Sequence, residues 1–401
     1  MVVERFDVPS VESEVTSARP RIIYIVTEDW YFWSHRLDLA RAARDSGFDV
    51  TIATRVTDHG DRIRQEGFQL IPLAMIRRSR NPFTELMALL QLVQLYSKIR
   101  PDLVHHVALK PIMYGSLAAW ITRVPVVINA FAGLGHAFTQ ERIKVLRWSI
   151  KVVLKMVVKL SRSFVLVQNH DDQERLVREG IVPACRTRII AGSGIDTRIF
   201  SIQPTPQGLP IVVLPARMLW DKGIGEFVEA ARHLKKKGIG ARFVLVGRRD
   251  EHNPASIAES FLTEWVSEGL VEWWGHREDM PAVYGAASLV VLPSYREGLP
   301  RVLIEAAACG RAIVTTDVPG CRDVVRHEVN GFLVPQKDWV SLAAWIERLL
   351  ENKDQREIMA ARGRARAEKE WSAPLIVQQT LSFYREMLGT GLCENRSSEC
   401  A

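Results

Sequence analysis

A chain of 401 residues is too long for one ordinary core and suggests two or three domains. Its 47% hydrophobic and 25% charged residues are globular proportions, which exclude a disordered or membrane-embedded chain. The net charge of +7 suits an anionic substrate, an anionic membrane surface or nucleic acid, and composition does not choose among them.

In chain order, residues 1–20 read as a polar tail, with acids and prolines where a secretory signal needs an apolar core. Arg21 to Val26 reads as a buried strand, followed by the aromatic cluster Trp30-Tyr-Phe-Trp33 and a helix from Ser34 to Ser46. Phe48 to Ala53 is the next strand, Pro82 to Ile99 a helix, and Asp102 to His106 a strand. Tyr114 to Thr122 is helical, and Pro125 to Asn129 returns as a strand. The uncharged run Val124 to Gln140 is broken by Pro125, Gly133 and Gly135, so it is not a membrane span. Residues 203–210 are Pro-rich and read as an interdomain linker. Strands resume at Ile211 to Pro215, Arg242 to Gly247, Val271 to Trp274, Ala287 to Leu292 and Arg311 to Thr315. Short buried strands alternating with helices predict parallel sheets covered on both faces. The expected fold is therefore α/β: two doubly wound Rossmann-like domains, 21–202 and 211–372, facing across a cleft, with a tail at 389–401. The five cysteines, Cys185, Cys309, Cys321, Cys393 and Cys400, have no metal-ligand spacing, and free thiols in a reducing cytosol are the simplest reading.

Chemistry concentrates in Tyr295-Arg-Glu-Gly-Leu-Pro-Arg-Val-Leu-Ile-Glu305, which reads as a strand end, a tight acidic loop and a helix start. Pro300 is tolerated in a first helical turn, where N–H groups lack internal partners. Those free N–H groups can bind phosphate or sugar oxygens. Glu297 and Glu305, just beyond a strand's C-terminal end, can accept hydrogen bonds from several sugar hydroxyls. A helix-capping pair is the plainer alternative, but Glu305 lies too deep for a cap. The turn Pro215-Ala-Arg-Met-Leu-Trp-Asp-Lys-Gly223 offers Arg217 as a planar phosphate clamp and Lys222 as a compact charge; taken alone it reads sooner as a solvated loop, and the Glu297/Glu305 segment downstream turns the reading to a phosphate site.

In the first half, Trp30 and its aromatic neighbours can stack on an acceptor sugar, lie at a lipid interface or pack under a domain lid. His35 and Arg36 can bind an acceptor phosphate. Lys144, Arg147, Lys151, Lys155, Lys159 and Arg162 fall within an arc of about 120° on one helix. Val145, Leu146, Trp148, Ile150, Val153, Leu154, Val157 and Leu160 occupy the other faces, expected to pack as core. The basic stripe then meets water or anionic lipid headgroups, each cation near lipid adding about 1 kcal/mol. Arg77, Arg78 and Arg80 add charge to the same half. Dispersed charge without a nucleic-acid motif argues against a nucleic-acid partner.

The run Arg296 to Gly320, continuing at Asn330-Gly-Phe-Leu-Val334, resembles the donor-site signature of family 4 retaining glycosyltransferases, and the similarity covers roughly Arg21 to Leu388. Trp30-Tyr-Phe-Trp-Ser-His-Arg36 and Asn129-Ala-Phe-Ala-Gly-Leu-Gly-His-Ala-Phe-Thr139 resemble a bacterial subgroup that builds lipid-linked surface polysaccharides. The resemblance implies the GT-B fold, with a helix over 373–388 crossing back to the first domain. It implies transfer, with retention and without metal or cofactor, from a nucleoside-diphosphate sugar to an undecaprenyl-diphosphate-linked saccharide. It assigns Arg217 and Lys222 to the donor diphosphate, Glu305 to the ribose hydroxyls, and Glu297 to the donor sugar. Gly298, Leu299, Arg301, Val302 and Gly247 line the donor, and His276 and Arg277 take the nucleobase edge. The family's histidine in the first domain has no counterpart here: Ala132 holds its position, leaving His106, His136 and Asn129 as substitutes. The implied location is cytoplasmic, on the inner face of the plasma membrane. A nucleotide-sugar epimerase or hydrolase on the same fold is the alternative.

Overall fold

The structure, a computed structural model, describes residues 19–76, 81–133, 144–204, 206–251 and 253–391, with backbone alone at 144–147, 390 and 391. The first half holds strands β1 (Arg21–Glu28), β2 (Asp49–Arg55), β3 (Gln69–Pro72), β4 (Leu103–Val107), β5 (Val126–Ala130), β6 (Phe164–Val167) and β7 (Thr187–Ile189). They form one sheet in the order β3-β2-β1-β4-β5-β6-β7. The second half holds β8 (Ile211–Pro215), β9 (Arg242–Val246), β10 (Glu272–Trp273), β11 (Leu289–Leu292), β12 (Ala312–Thr316) and β13 (Gly331–Val334), ordered β10-β9-β8-β11-β12-β13. Every pairing within both sheets is parallel. Each strand order reverses once, at β1/β4 and at β8/β11, and such switch points are where loops part to leave a ligand crevice.

The strands read as continuous apolar runs because both faces of each sheet are covered. In the second sheet Val212, Leu214, Leu245 and Val291 enter one core while Val213, Val244, Val290 and Ile313 enter the other. In the first, Ile22 and Tyr24 alternate in the same way with Ile23 and Ile25. Each such fully buried aliphatic side chain contributes about 2 kcal/mol.

The chain passes between the halves twice, side by side. Ile195 N–H donates to the Trp371 carbonyl at 3.0 Å, and Ala373 N–H to the Ile195 carbonyl at 2.8 Å. Gly194 (φ +75°) is required there, since a Cβ would lie 2.7 Å from Ala373 Cα. Ile195 and Phe200 already pack in the second half's core, so that core begins before the Pro-rich segment. The Arg311 guanidinium holds that segment by donating to the Gln203 and Pro204 carbonyls. The final helix, Ala373–Gly391, lies on the first half: the Tyr384 hydroxyl meets His105 Nδ1 at 2.5 Å, and Phe383 and Met387 join its core.

Three local expectations differ. The helix expected over Ser34 to Ser46 is two, Asp29–His35 and Leu37–Asp45, because Arg36 leaves helical geometry (φ −129°, ψ −9°). The aromatic cluster therefore sits on a helix rather than a loop. That helix is pinned by Asp29, whose carboxylate accepts from Thr57 N, Thr57 Oγ1, His59 N and Trp30 N. Burial would raise the Asp29 pKa, but these hydrogen bonds outweigh it and hold it below the ordinary carboxylate value. Finally, Cys309 and Cys321 are free and buried, whereas Cys185 is disulfide-bonded, against the expectation of free thiols. Spacing along the chain carries no information on which sulfurs meet in space.

Candidate active site

Two loops leaving β8 and β11 make one face of the site. After β8 the chain turns through Arg217 into a 3-10 turn, Trp220–Lys222. Gly223 (φ +71°) follows, with room for no side chain: a Cβ would lie 2.1 Å from the Pro293 carbonyl oxygen. Tyr295 N–H donates to the Asp221 carbonyl at 2.9 Å, so the two loops are stitched backbone to backbone. Lys222 Nζ consequently reaches Glu297 Oε1 at 2.5 Å, and Ser294 Oγ donates to the same oxygen at 2.7 Å. Arg217 Nη1 donates to Asp250 Oδ2 at 2.7 Å, a bond that uses one of its five guanidinium N–H groups, and the side chain is 40% exposed. Gly247 (φ +146°) lies beneath, where a Cβ would strike the Ala216 carbonyl oxygen at 1.9 Å.

The helix Arg301–Ala308 starts just after Pro300 and buries Glu305. Tyr284 OH donates to Glu305 Oε2 at 3.0 Å, and Arg301 Nε to Oε1 at 2.8 Å. Each carboxylate oxygen keeps a further lone pair for an incoming hydroxyl. Leu299 is buried against Gly192, and Val302 packs on the second core. His276 and Arg277 are exposed beyond β10, Arg277 paired with Asp279 at 2.7 Å.

The first half closes on this loop from its own strand ends. Gly133, after β5, faces Gly298 so closely that a Cβ on Gly298 would lie 2.8 Å from Ala132 O and Gly133 Cα. Asn169 Nδ2 donates to the Gly298 carbonyl at 2.5 Å. Arg296 pairs with the buried Asp172 at 2.9 Å, and Arg301 Nη1 donates to the Ser34 carbonyl at 2.5 Å. The last contact sets His35 and Arg36 beside the Arg301–Ala308 helix. Burial, with the Arg301 and Arg36 guanidiniums, pushes His35 down to about 3, so it stays neutral at pH 7. Trp30 is half-buried, while its neighbour Phe32 is core.

Residues 196–366 match the family described as Glycosyl transferases group 1, and residues 21–165 match Glycosyl transferase 4-like. Between them the two matches take in most of the chain. Both halves match glycosyltransferase families, and the chain is a glycosyltransferase. One relative is the Campylobacter jejuni N,N'-diacetylbacillosaminyl-diphospho-undecaprenol alpha-1,3-N-acetylgalactosaminyltransferase, 29% identical over 88% of this chain and 95% of the relative. Another is the Escherichia coli UDP-Gal:alpha-D-GlcNAc-diphosphoundecaprenol alpha-1,3-galactosyltransferase, 25% identical over 67% of this chain and 71% of the relative. Among solved structures, Anabaena HepE in complex with UDP superimposes with a TM-score of 0.74 at 19% identity, over 91% of this chain and 100% of that one. Sucrose-phosphate synthase from Thermosynechococcus elongatus gives a TM-score of 0.77 at 21% identity, over 93% and 100%. The fold is GT-B, and these relatives give no support to an epimerase or hydrolase.

For this glycosyltransferase the histidine substitutes resolve differently. His136 lies outside the described residues. His106 is a correction: it is fully buried in β4, with Nε2 on Tyr96 OH and Nδ1 on Asn129 Oδ1, both at 2.8 Å. Its ring fills the space a Gly115 Cβ would occupy, so it is a satisfied core side chain that reaches no acceptor. Burial lowers its pKa from 6.5 to about 4. The unfolded chain therefore binds a proton below its ordinary pKa that the folded chain refuses until about pH 4. Stability falls as pH drops through that window, with a His106 share of about 2–3 kcal/mol at its acid end. His106→Gln is expected to flatten this limb, read from urea midpoints at pH 7 and pH 4.5.

The lysine stripe is also redistributed. Lys144 and Arg147 have no described side chains. Lys151 Nζ is bound to Glu179 at 2.8 Å, so it does not face free solvent as a headgroup ligand, while Lys155 and Lys159 are exposed. Sequence reasoning missed Asn169, Asp172 and Arg296, which join the halves. The only signal for Asn169 was its place as a helix N-cap before His170–Arg178, which explains its Oδ1 but not its Nδ2.

Proposed function

We propose that this glycosyltransferase moves a sugar, with retention and without a metal, from a nucleoside diphosphate to a saccharide carried on undecaprenyl diphosphate in surface polysaccharide synthesis. The undecaprenyl-linked acceptors named for the Campylobacter and Escherichia relatives support the acceptor class. The contact that carries the reading is Lys222 against Glu297, on loops stitched together at the β8/β11 switch point. In this mechanism the acceptor hydroxyl attacks the anomeric carbon from the leaving-group face. The carbon–phosphate-oxygen bond breaks, the new glycosidic bond forms, and the hydroxyl proton passes to the departing diphosphate. Arg217 and Lys222 offset the charge that develops there, and the chain otherwise acts by positioning. Glu305 receives the ribose hydroxyls. Its setting between Tyr284 and Arg301 makes Glu305→Gln the proper test, since alanine would also strip two donors of their acceptor. The membrane is the natural workplace of such an acceptor, and the enzyme would dock on its inner face.

A panel of labelled nucleotide-sugars incubated with membrane extract, read by mass of the lipid-linked product, tests the reading. One donor should give product, and Glu305→Gln should raise the KM for that donor about 10- to 100-fold. Sugar isomerised or released at full rate without lipid would defeat it.

A further inference from the structure

The helices of the first half carry a surface that transfer chemistry does not use. The connections β3 to β4, β4 to β5 and β5 to β6 all advance in one direction across the sheet. Right-handed crossovers therefore put their helices, Pro82–Ile99, Leu109–Thr122 and Lys144–Leu160, on one face. The first packs against the second and the second against the third. Their inner residues Leu92, Ala118, Leu154, Val157 and Val158 are core.

Their outer face is apolar as well. Phe83 (70% exposed), Leu86, Met87 and Leu90 stand exposed at helical spacing on the first helix, and Trp120 and Ile121 on the second. On the third, Trp148 (67% exposed), Val152, Met156 and Leu160 form a second exposed stripe. Trp148 and Leu160 were expected in the core, but a helix lying on a sheet buries only the sheetward side, and these two fall on the other. Lys155 and Lys159 lie within about 40° of Trp148 around the helix, so cations and apolar groups share one outward face. The three helices contain one acid, Glu85, already bound to Lys110 at 2.6 Å.

We infer that this three-helix face seats in an anionic lipid bilayer, its apolar side chains entering the acyl boundary while Lys155 and Lys159 reach back to the headgroups. Contiguous exposed apolar area marks an interaction surface. Among the described residues the unpaired charge on it is of one sign, which selects the partner: a second copy would set lysines against lysines, whereas acidic headgroups complement them. Lysine stems cover apolar surface while their ammoniums stay at the water boundary. This deepens the proposed membrane location and replaces a purely electrostatic contact with a wedge.

The test uses the full chain and phosphatidylglycerol–phosphatidylcholine vesicles, sedimented in low salt and in about 0.5 M NaCl, where exposed charges are screened. The vesicles contain no saccharide, so the outcome is independent of which acceptor the enzyme uses. Wild type should remain partly bound in high salt. Phe83→Ser/Trp148→Ser should lose the salt-resistant fraction, about tenfold or more, while melting normally and keeping nucleotide binding. Lys155→Gln/Lys159→Gln should lose only the salt-sensitive fraction. Complete release of wild type by salt, or vesicle binding by the Phe83/Trp148 variant equal to wild type, would overturn the inference. So would a solution dimer that the same variant dissociates.

Discussion

Lys222→Ala is expected to lower turnover by about a thousandfold at saturating donor while the protein stays folded. The ammonium sits at the mouth between the β8 and β11 loops, 19% exposed, bound to Glu297 at 2.5 Å. A fixed cation in a partly dry site is worth about 3–4 kcal/mol to charge that grows in the transition state. In the proposed mechanism Glu297 neutralises it before donor arrives, and the entering diphosphate offers the stronger partner. Removing the ammonium leaves Glu297 with only the Ser294 hydroxyl, at a stability cost of about 1–3 kcal/mol. Lys222→Arg keeps the charge but not its compact shape, and should recover only part of the rate. Steady-state kinetics alongside thermal unfolding separates the two effects. A folded Lys222→Ala enzyme turning over at the wild-type rate would remove this lysine from the chemistry.

The second large effect needs no charge at all. Gly298→Ala places a methyl group on the seam between the halves, 2.8 Å from Ala132 O, Gly133 Cα and Gly133 N. Those are backbone atoms, so no rotamer change relieves the overlap, and the halves must part by a fraction of an ångström or more. The same shift breaks the Asn169 hydrogen bond to the Gly298 carbonyl. Misplacing reacting groups on that scale costs about a hundredfold in rate, so kcat/KM should fall by about that factor with each half still folded. Gly238→Ala is the control: its φ of +84° brings backbone strain that Gly298, which has no positive φ, does not have, yet nothing lies within 4 Å of its Cβ. It should cost about 1 kcal/mol of stability and leave kcat/KM unchanged. An equal activity loss in Gly238→Ala would mean that a glycine-to-alanine change away from the seam suffices, and closure would not explain Gly298.

How much of this was legible depended on whether the cause was local. The strand Ile211–Pro215 was readable to the residue because a doubly covered parallel strand must be apolar at every position. The short strands β3, β7 and β13 gave no comparable run, and β6, although apolar at all four positions, was not singled out either. The Pro300 helix start and Glu305 behind it were likewise visible, since proline position and carboxylate depth are properties of one segment. Trp148 shows the limit. Periodicity told which residues share a helix face, but not how many faces the neighbours would cover, and an apolar residue left in solvent looks the same in sequence as one in the core.

By itself, then, the amino-acid order determined the α/β class, the doubling of the sheet and the acidic and basic loops of the second half. Tertiary structure alone decided that His106 is sealed among Tyr96, Asn129 and Gly115, that Lys151 is spent on Glu179, and that Gly133, Asn169 and Gly298 form the closing seam. Secondary structure follows from interactions a few residues apart, which leave a period in the sequence. A glycine needed because another backbone arrives from the far half of the chain leaves none.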